Sequence, residues 1–279
     1  MNEVVTQAKP PTRFKKFFRY FLTLAVGFFA LSLSMVVIYR FAPVPYTPLM
    51  FWKSTLSVFS EDWVGIDKKW VPIEEISSNM KRAVIRAEDA KFYIHNGFDY
   101  EAIQAAIKYN KTHKKQKGAS TISQQTAKNV FLWPSRSWIR KGMEAYFTVL
   151  IEFMWPKERI MEVYLNVIEL GPGVYGVEAA AKKYFHKKAK SLNNREASLM
   201  AAVLPNPIKF KINKPSAYVL RRQRKIMGGG AVIAQAKPEV KAQETKEFFD
   251  IKFDDDEDTA EKENPQATPS ESPAGEVSN

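Results

Sequence analysis

Between Tyr20 and Tyr39 the chain runs for twenty residues without a charge, and Thr23, Ser32 and Ser34 are its only clearly polar side chains. At about 1.5 Å of rise per residue, a helix of this length reaches about 30 Å, the hydrocarbon thickness of a bilayer. A buried core helix seldom runs so far without a polar face. A secretory signal has a shorter apolar region, about 7–15 residues, followed by a small-x-small cleavage site. No Ala-x-Ala follows here, although Ser32 and Ser34 leave cleavage open. The expectation is an uncleaved transmembrane anchor. Lys9, Arg13, Lys15, Lys16 and Arg19 crowd its N-terminal flank, whereas Arg40 stands alone until Lys53. The excess of positive charge assigns the N-terminus to the cytoplasm and everything after Arg40 to the opposite side. Tyr20, Phe21, Tyr39 and Phe41 suit interfacial aromatic belts, or equally serve as apolar filler.

An anchored chain with this charge balance has few classes open to it. The net charge is +12 over 279 residues, yet Glu239–Asn279 holds 13 acids against 4 lysines, so residues 1–238 carry +21. Such a charge suits an anionic partner. Lys114-Lys115, Lys182-Lys183 and Lys187-Lys188 fit nucleic acid or an acidic membrane surface, and the topology makes nucleic acid improbable. With no cysteine, a disulfide framework, a thiol nucleophile and thiolate-held metal clusters are excluded. A three-histidine metal site would need all of His95, His113 and His186.

Five segments follow from the pattern: a basic N-terminus (1–19), the anchor (20–39), a juxtamembrane connector (40–72), a helical domain (73–227) and an acidic tail (228–279). Pro43, Pro45 and Pro48 make the connector read as extended, because the residue before a proline is pushed out of the α region. From Ile73 to about Arg224, apolar residues recur every three and four positions, as in Ile76, Met80, Ala83, Val84 and Ala87, which predicts amphipathic helices round one core. Strand-like alternation is scarce. The tail after Gly228-Gly229-Gly230 is too acidic and too rich in Pro, Ser and Glu to bury enough surface to offset its ordering entropy, and is expected to be disordered.

Within the helical domain, Glu88-Asp89 ends one apolar-periodic helix and leads to Phe92, His95 and Gly97. Acidic pairs usually lie on solvated faces, so alone this pair carries little. The next cluster, Lys117 to Asn129, gathers hydroxyls, amides and a lysine with little apolar content. Ser120 or Thr121 is placed to cap a helix with Gln124 and Lys128 on one face. Such a helix start, if free, suits an anionic, hydroxyl-rich ligand such as a sugar phosphate; an ordinary capped surface helix fits the same residues. Arg140 and Glu144 stand one helical turn apart, which by spacing alone is a common ion pair. Lys157–Asn166 reads as a mainly structural helix.

Taken in order, Glu88-Asp89-x-x-Phe92-x-x-His95-x-Gly97-x-Asp99, Gly118-x-Ser120-Thr121-Ile122-x-Gln124-Gln125-x-x-Lys128-Asn129, Arg140-Lys141-x-x-Glu144-Ala145, Tyr164-Leu165-Asn166 and Gly176–Phe185 resemble the peptidoglycan glycosyltransferases. That family comprises the glycosyltransferase modules of class A penicillin-binding proteins and the monofunctional enzymes. The resemblance covers roughly Ile73 to Arg224. It departs at Ala119, where the family usually has a second glycine, a mild change. With no Lys-Thr-Gly or Ser-Asp-Asn partner for Ser78-x-x-Lys81, no transpeptidase is expected, and the monofunctional type fits.

The resemblance implies a lysozyme-like, mainly α fold with few strands. It also implies polymerisation of lipid II, in which an acceptor's 4-hydroxyl attacks the anomeric carbon of a growing glycan held on undecaprenyl diphosphate, with inversion. Glu88 matches the general base and Glu144 the second essential carboxylate, associated with the donor diphosphate. Asp89 would orient the base or help hold a divalent cation, Mg or Mn; no organic cofactor is expected. Lys128 and Arg136 match diphosphate-neutralising residues, with Arg140 and Lys141 beside Glu144. Ser120, Thr121, Gln124, Gln125 and Asn129 would position sugar or phosphate, or hold the loop. Phe51, Trp52, Phe131, Leu132, Trp133 and Trp138 are candidates for a membrane-facing surface, some of them core. The implied setting is a bacterial inner membrane, with the catalytic domain on the periplasmic or extracellular side and cell-wall synthesis or division proteins as partners. Two other classes share parts of this pattern: a lysozyme-like hydrolase, which needs no cationic group for its leaving sugar, and a non-catalytic membrane scaffold.

Overall fold

The computed structural model describes residues 13–57, 65–114, 116–135 and 137–228. The predicted disordered tail from 229 onward and Arg136 lie outside them. The chain forms two compact units. One holds the described residues up to Asp99 and from Ser120 onward, and the other holds Tyr100–Ala119. The second unit is helix α4 (Tyr100–Thr112) and the loop after it. There Asn110 clasps Lys117, its carboxamide oxygen accepting from the Lys117 N–H at 2.8 Å and its amide donating to the Lys117 carbonyl at 3.1 Å. The Lys117 ammonium lies 3.8 Å from the centre of the Tyr109 ring.

Helix α1 runs from Arg13 to Phe41. Arg13–Arg19, expected as a separate N-terminal segment, form its first turns, because no proline stands between Pro11 and Pro43 to stop it. Its most apolar window has a mean hydropathy of 2.4 and is only 11% buried inside the protein. A soluble core helix would be mostly covered, so this one suits a membrane anchor. The connector is not extended throughout. Pro48 opens helix α2 (Pro48–Ser57), since a proline costs nothing in a first turn, and the Thr47 hydroxyl accepts the Met50 N–H at 3.3 Å.

The first unit's body is mainly helical, as expected, and two groups of helices fill it. Helix α3 (Ser78–Glu88) lies against α9 (Asn194–Val203) and α10 (Ala217–Gly228). Helix α5 (Ile122–Phe131) lies against α6 (Trp138–Met154) and α7 (Lys157–Val167). Local chemistry sets most helix starts: Ser77 caps α3, Ser137 caps α6, and Asn193 with Glu196 forms a capping box on α9. Helix α8 (Val177–Phe185) ends at His186, which takes the left-handed conformation at φ 54°. Three short strands, β1 (Asp67–Lys68), β2 (Glu169–Gly171) and β3 (Val174–Tyr175), form one sheet in the order β1-β3-β2, with β1 parallel and β2 antiparallel to β3.

The core between these elements is packed with Met80, Phe92, Ile122, Ile151, Ile160 and Tyr164. Phe131 and Leu132 belong to it as well. Phe131 stacks on Phe147 with centroids 4.4 Å apart, which removes these two from the expected membrane-facing set. Phe51, Trp52, Trp133 and Trp138 remain exposed. The core also reaches further back than residue 73, because Val36, Val44 and Met50 are completely buried. Helix α1 docks on the body at its C-terminal half. The Ser32 hydroxyl bonds the Tyr146 hydroxyl at 2.7 Å, and the Trp155 indole donates to the Val36 carbonyl at 2.8 Å. Arg159 donates to the carbonyls of Tyr39 and Ala42, satisfying acceptors that a helix end leaves open.

Candidate active site

Glu88 is the last residue of α3, and both of its oxygens are engaged. Gln125 of α5 donates its amide to Oε2 at 3.0 Å, and Arg222 of α10 donates to Oε1 at 3.0 Å. Tyr164 of α7 completes the chain by donating its hydroxyl to the Gln125 carboxamide oxygen at 3.2 Å. The oxygen end of Gln125 is thereby committed to Tyr164 and its NH₂ end to the carboxylate. Burial pushes the Glu88 carboxyl above its ordinary range, while Gln125, Arg222 and the charge of Lys128 pull against that shift. Burial, then the charges of Glu88 and Asp89, push the Tyr164 phenol far upward, so it stays a donor. A carboxylate raised by desolvation and held by fixed donors is suited to accept a proton.

Asp89 turns the other way. Its Oδ1 lies 2.9 Å from His95 Nε2, and its Oδ2 accepts the Ile122 N–H at 3.0 Å. The Gly97 N–H donates to His95 Nδ1 at 3.1 Å, which leaves Nε2 as the ring's donor toward Asp89. Asp89 therefore sits on the positive end of α5 and fixes its position relative to α3. Gly97 explains the glycine of the motif. At φ +92°, with a Cβ there placed 2.8 Å from Thr148 Cγ2, no side chain fits, and its carbonyl accepts the Thr121 hydroxyl at 2.6 Å.

The start of α5 is a closed capping box. The Thr121 hydroxyl accepts the Gln124 N–H at 3.2 Å, and the Gln124 side chain accepts the Thr121 N–H at 3.0 Å. With Ile122 N–H given to Asp89, the helix start is not the free anion site its composition suggested. Thr121 and Gln124 are buried and hold the turn, whereas Gln125 reaches Glu88. Ser120 is exposed, and Lys128 and Asn129 are partly exposed.

The second cluster lies on the first two turns of α6. Glu144 is buried. Lys141 Nζ lies 2.6 Å from its Oε1, and Arg140 Nη1 lies 3.9 Å from its Oε2. The carboxylate thus holds two cations on one helical face. Arg136, expected beside them, lies outside the described residues.

Several participants were not singled out from the sequence. Arg222 lies 134 positions from Glu88, and no local spacing signals it. Tyr164 stands in a motif and in a helix that reads as mainly structural; it is buried core, and its hydroxyl also reaches Gln125. Ser123 donates to Glu152, which Lys157 pairs at 2.7 Å. Ser123 stands inside the α5 motif, and its period of apolar neighbours was the available sign that it faces inward.

Comparison with known proteins places the chain in a family. Residues 56–229 match the family described as Transglycosylase. A protein of Bdellovibrio bacteriovorus named biosynthetic peptidoglycan transglycosylase is 62% identical over 231 residues, covering 83% of this chain and 91% of its own. Proteins of the same name from Bacteroides thetaiotaomicron and Caulobacter vibrioides are 52% identical over 217 residues and 50% over 206. They cover 78% and 74% of this chain and 88% and 86% of their own lengths.

Proposed function

This chain belongs to the transglycosylase family, and we propose that Glu88 is the base with which it polymerises peptidoglycan glycan strands. It is a glycosyltransferase of cell-wall biosynthesis, monofunctional in type, and its substrate class is lipid II and the growing glycan. The observation that carries the assignment of the base is the desolvated Glu88 carboxylate gripped on both oxygens.

In the reaction, the acceptor's 4-hydroxyl gives its proton to Glu88 as its oxygen attacks the anomeric carbon of the donor chain. The bond from that carbon to the diphosphate oxygen breaks, the configuration inverts, and undecaprenyl diphosphate leaves with the bonding pair. Each Glu88 oxygen keeps a lone pair for the incoming hydroxyl after its contact with Gln125 or Arg222. Charge that develops on the leaving diphosphate needs fixed cations. Arg140 and Lys141, oriented in advance by Glu144, and Lys128 suit that task, with Arg136 proposed beside them. Ser120 and Asn129 are proposed sugar or phosphate contacts. Thr121 and Gln124 act through the capping turn, and Asp89 acts by joining α3 to α5.

A protein-held divalent cation fits poorly. Asp89 is taken by His95 and Ile122, Glu144 by Lys141 and Arg140, and among the described residues no three metal-ligating side chains gather. Mg or Mn is proposed only as a counter-ion brought by the diphosphate.

The apolar α1 is compatible with a single-pass anchor. The proposed orientation has the N-terminus cytoplasmic and the catalytic face on the periplasmic or extracellular side, where cell-wall synthesis or division proteins are its proposed partners. Incubating the detergent-solubilised full chain with labelled lipid II tests the function. Polymer from wild type and none from Glu88→Gln or Glu144→Gln is the expected result. Folded wild type that forms no polymer, or that releases fragments from preformed glycan, would overturn it in favour of a hydrolase.

A further inference from the structure

Helix α10 carries Arg221, Arg222, Arg224 and Lys225 within two turns, a pattern that by sequence reads as a solvated basic face. One of these residues turns inward. Val219, Gln223 and Ile226 bury the helix against the body, with the Gln223 amide donating to the Arg195 carbonyl at 2.9 Å. Arg222 is thereby brought to the end of α3. There a single nitrogen, Nη2, lies 3.0 Å from Glu88 Oε1 and 3.2 Å from the Ala87 carbonyl. Arg222 Nε is buried with no hydrogen-bond partner, so the guanidinium accepts an unmet donor to keep this pose, which is unusual for a buried polar atom.

We propose that Arg222 is a positioning residue for the base, holding the Glu88 carboxylate ionised and in one rotamer, so that α10 makes α3's last residue competent. The proposal rests on Glu88 being the base. The groups facing that carboxylate are few enough to sort. From α5 come the neutral amide of Gln125 and the charge of Lys128, from α7 the Tyr164 hydroxyl through Gln125, and from α3's own end Asp89, which is engaged by His95 and Ile122 N–H. Arg222 joins cationic charge to direct contact at Oε1, opposite Gln125 at Oε2. The Gln125 amide opposes desolvation by its hydrogen bond alone, whereas Arg222 opposes it by charge and by hydrogen bond together.

The test is the pH dependence of initial polymerisation rates, with kcat and KM separated, for the full-length wild type, Arg222→Gln, Arg222→Met, Arg222→Lys and Glu88→Gln. Removing the cation lets the Glu88 carboxyl rise further, so the acidic limb of the kcat profile moves upward. A shift of about one pH unit is expected for Arg222→Gln and Arg222→Met, with most of the rate recovered on the alkaline side. Arg222→Lys restores the limb toward wild type. Arg222→Met keeps an unbranched apolar stem and removes the buried, partnerless Nε along with the charge, so it carries the test if Arg222→Gln fails to fold. Loss by the same factor at every pH with an unmoved limb would overturn the proposal, as would an unchanged profile or a change in KM alone. Activity in Glu88→Gln would instead overturn the assignment of the base, so the two failures are told apart.

Discussion

The end of α3 and the first turns of α6 both bring carboxylates and cations together, but they are built in opposite ways. Around Glu88 the partners come from α5, α7 and α10, as far as 134 positions away. Around Glu144 they come from positions three and four residues back on the same helix. The local site forms whenever α6 forms. The non-local one exists only once α10 has closed on α3, and its carboxylate is correspondingly perturbed. A group that must have an unusual proton affinity is thus placed where several elements meet, while a group that only gathers positive charge is left to helical spacing.

The sharpest way to break this comparison is Glu88→Gln. We expect polymerisation to fall on the order of 10²- to 10⁴-fold, in a labelled lipid II assay, with thermal unfolding close to wild type. In wild type, the raised carboxyl predicts that activity falls as the pH drops through a point above the ordinary glutamate value of about 4.3. A limb at or below that value would mean that burial does not outweigh the pull of Gln125, Arg222 and Lys128 on this carboxyl.

Asp89→Asn comes next. The new amide would point a donor at the His95 Nε2–H and force the ring to the other tautomer, which then loses its bond from Gly97 N–H. A cost of about 1–3 kcal/mol is expected, read as a fall in Tm of about 2–4 °C for each kcal/mol. A variant as stable as wild type would show that Asp89 does not join α3 to α5.

For the local cluster, a double-mutant cycle of Glu144→Gln and Lys141→Met measures the coupling. About 0.5–3 kcal/mol is expected in stability; purely additive losses would mean that the pair is not held. The smallest effect belongs to Tyr164→Phe, about 0.5–1.5 kcal/mol, in stability and with a slight upward shift of the acidic limb. No change in either would remove Tyr164 from the chain of donors.

The same contrast explains what could be read before any coordinates. A helix cap at Ser120 or Thr121 was visible because a hydroxyl stands just before the helix, but that Thr121 closes on Gln124 as a capping box was not. The pairing of Arg140 with Glu144 was visible from helical spacing. What the local pattern could not tell was that the capped helix start is already filled by Asp89, since that needs the turn from α3 through His95 to Ile122. Nor could it tell Arg222 from Arg221 or Arg224, because which arginine turns inward depends on how Val219 and Ile226 seat α10. Phe131 looked like a surface aromatic beside Leu132 and Trp133, and only its stacking on Phe147 reveals it as core.

The docking of α1 has a mechanical corollary. A tether of loose chain would let the enzyme swivel above the lipid, but Ser32, Val36 and Tyr39 are bonded to α6, α7 and the turn between them. With α1 as the proposed anchor, this docking would set the proposed catalytic residues at one elevation and one heading relative to the bilayer. Cutting the chain after Phe41 would lose this calibration and also uncover Tyr146, Trp155 and Arg159.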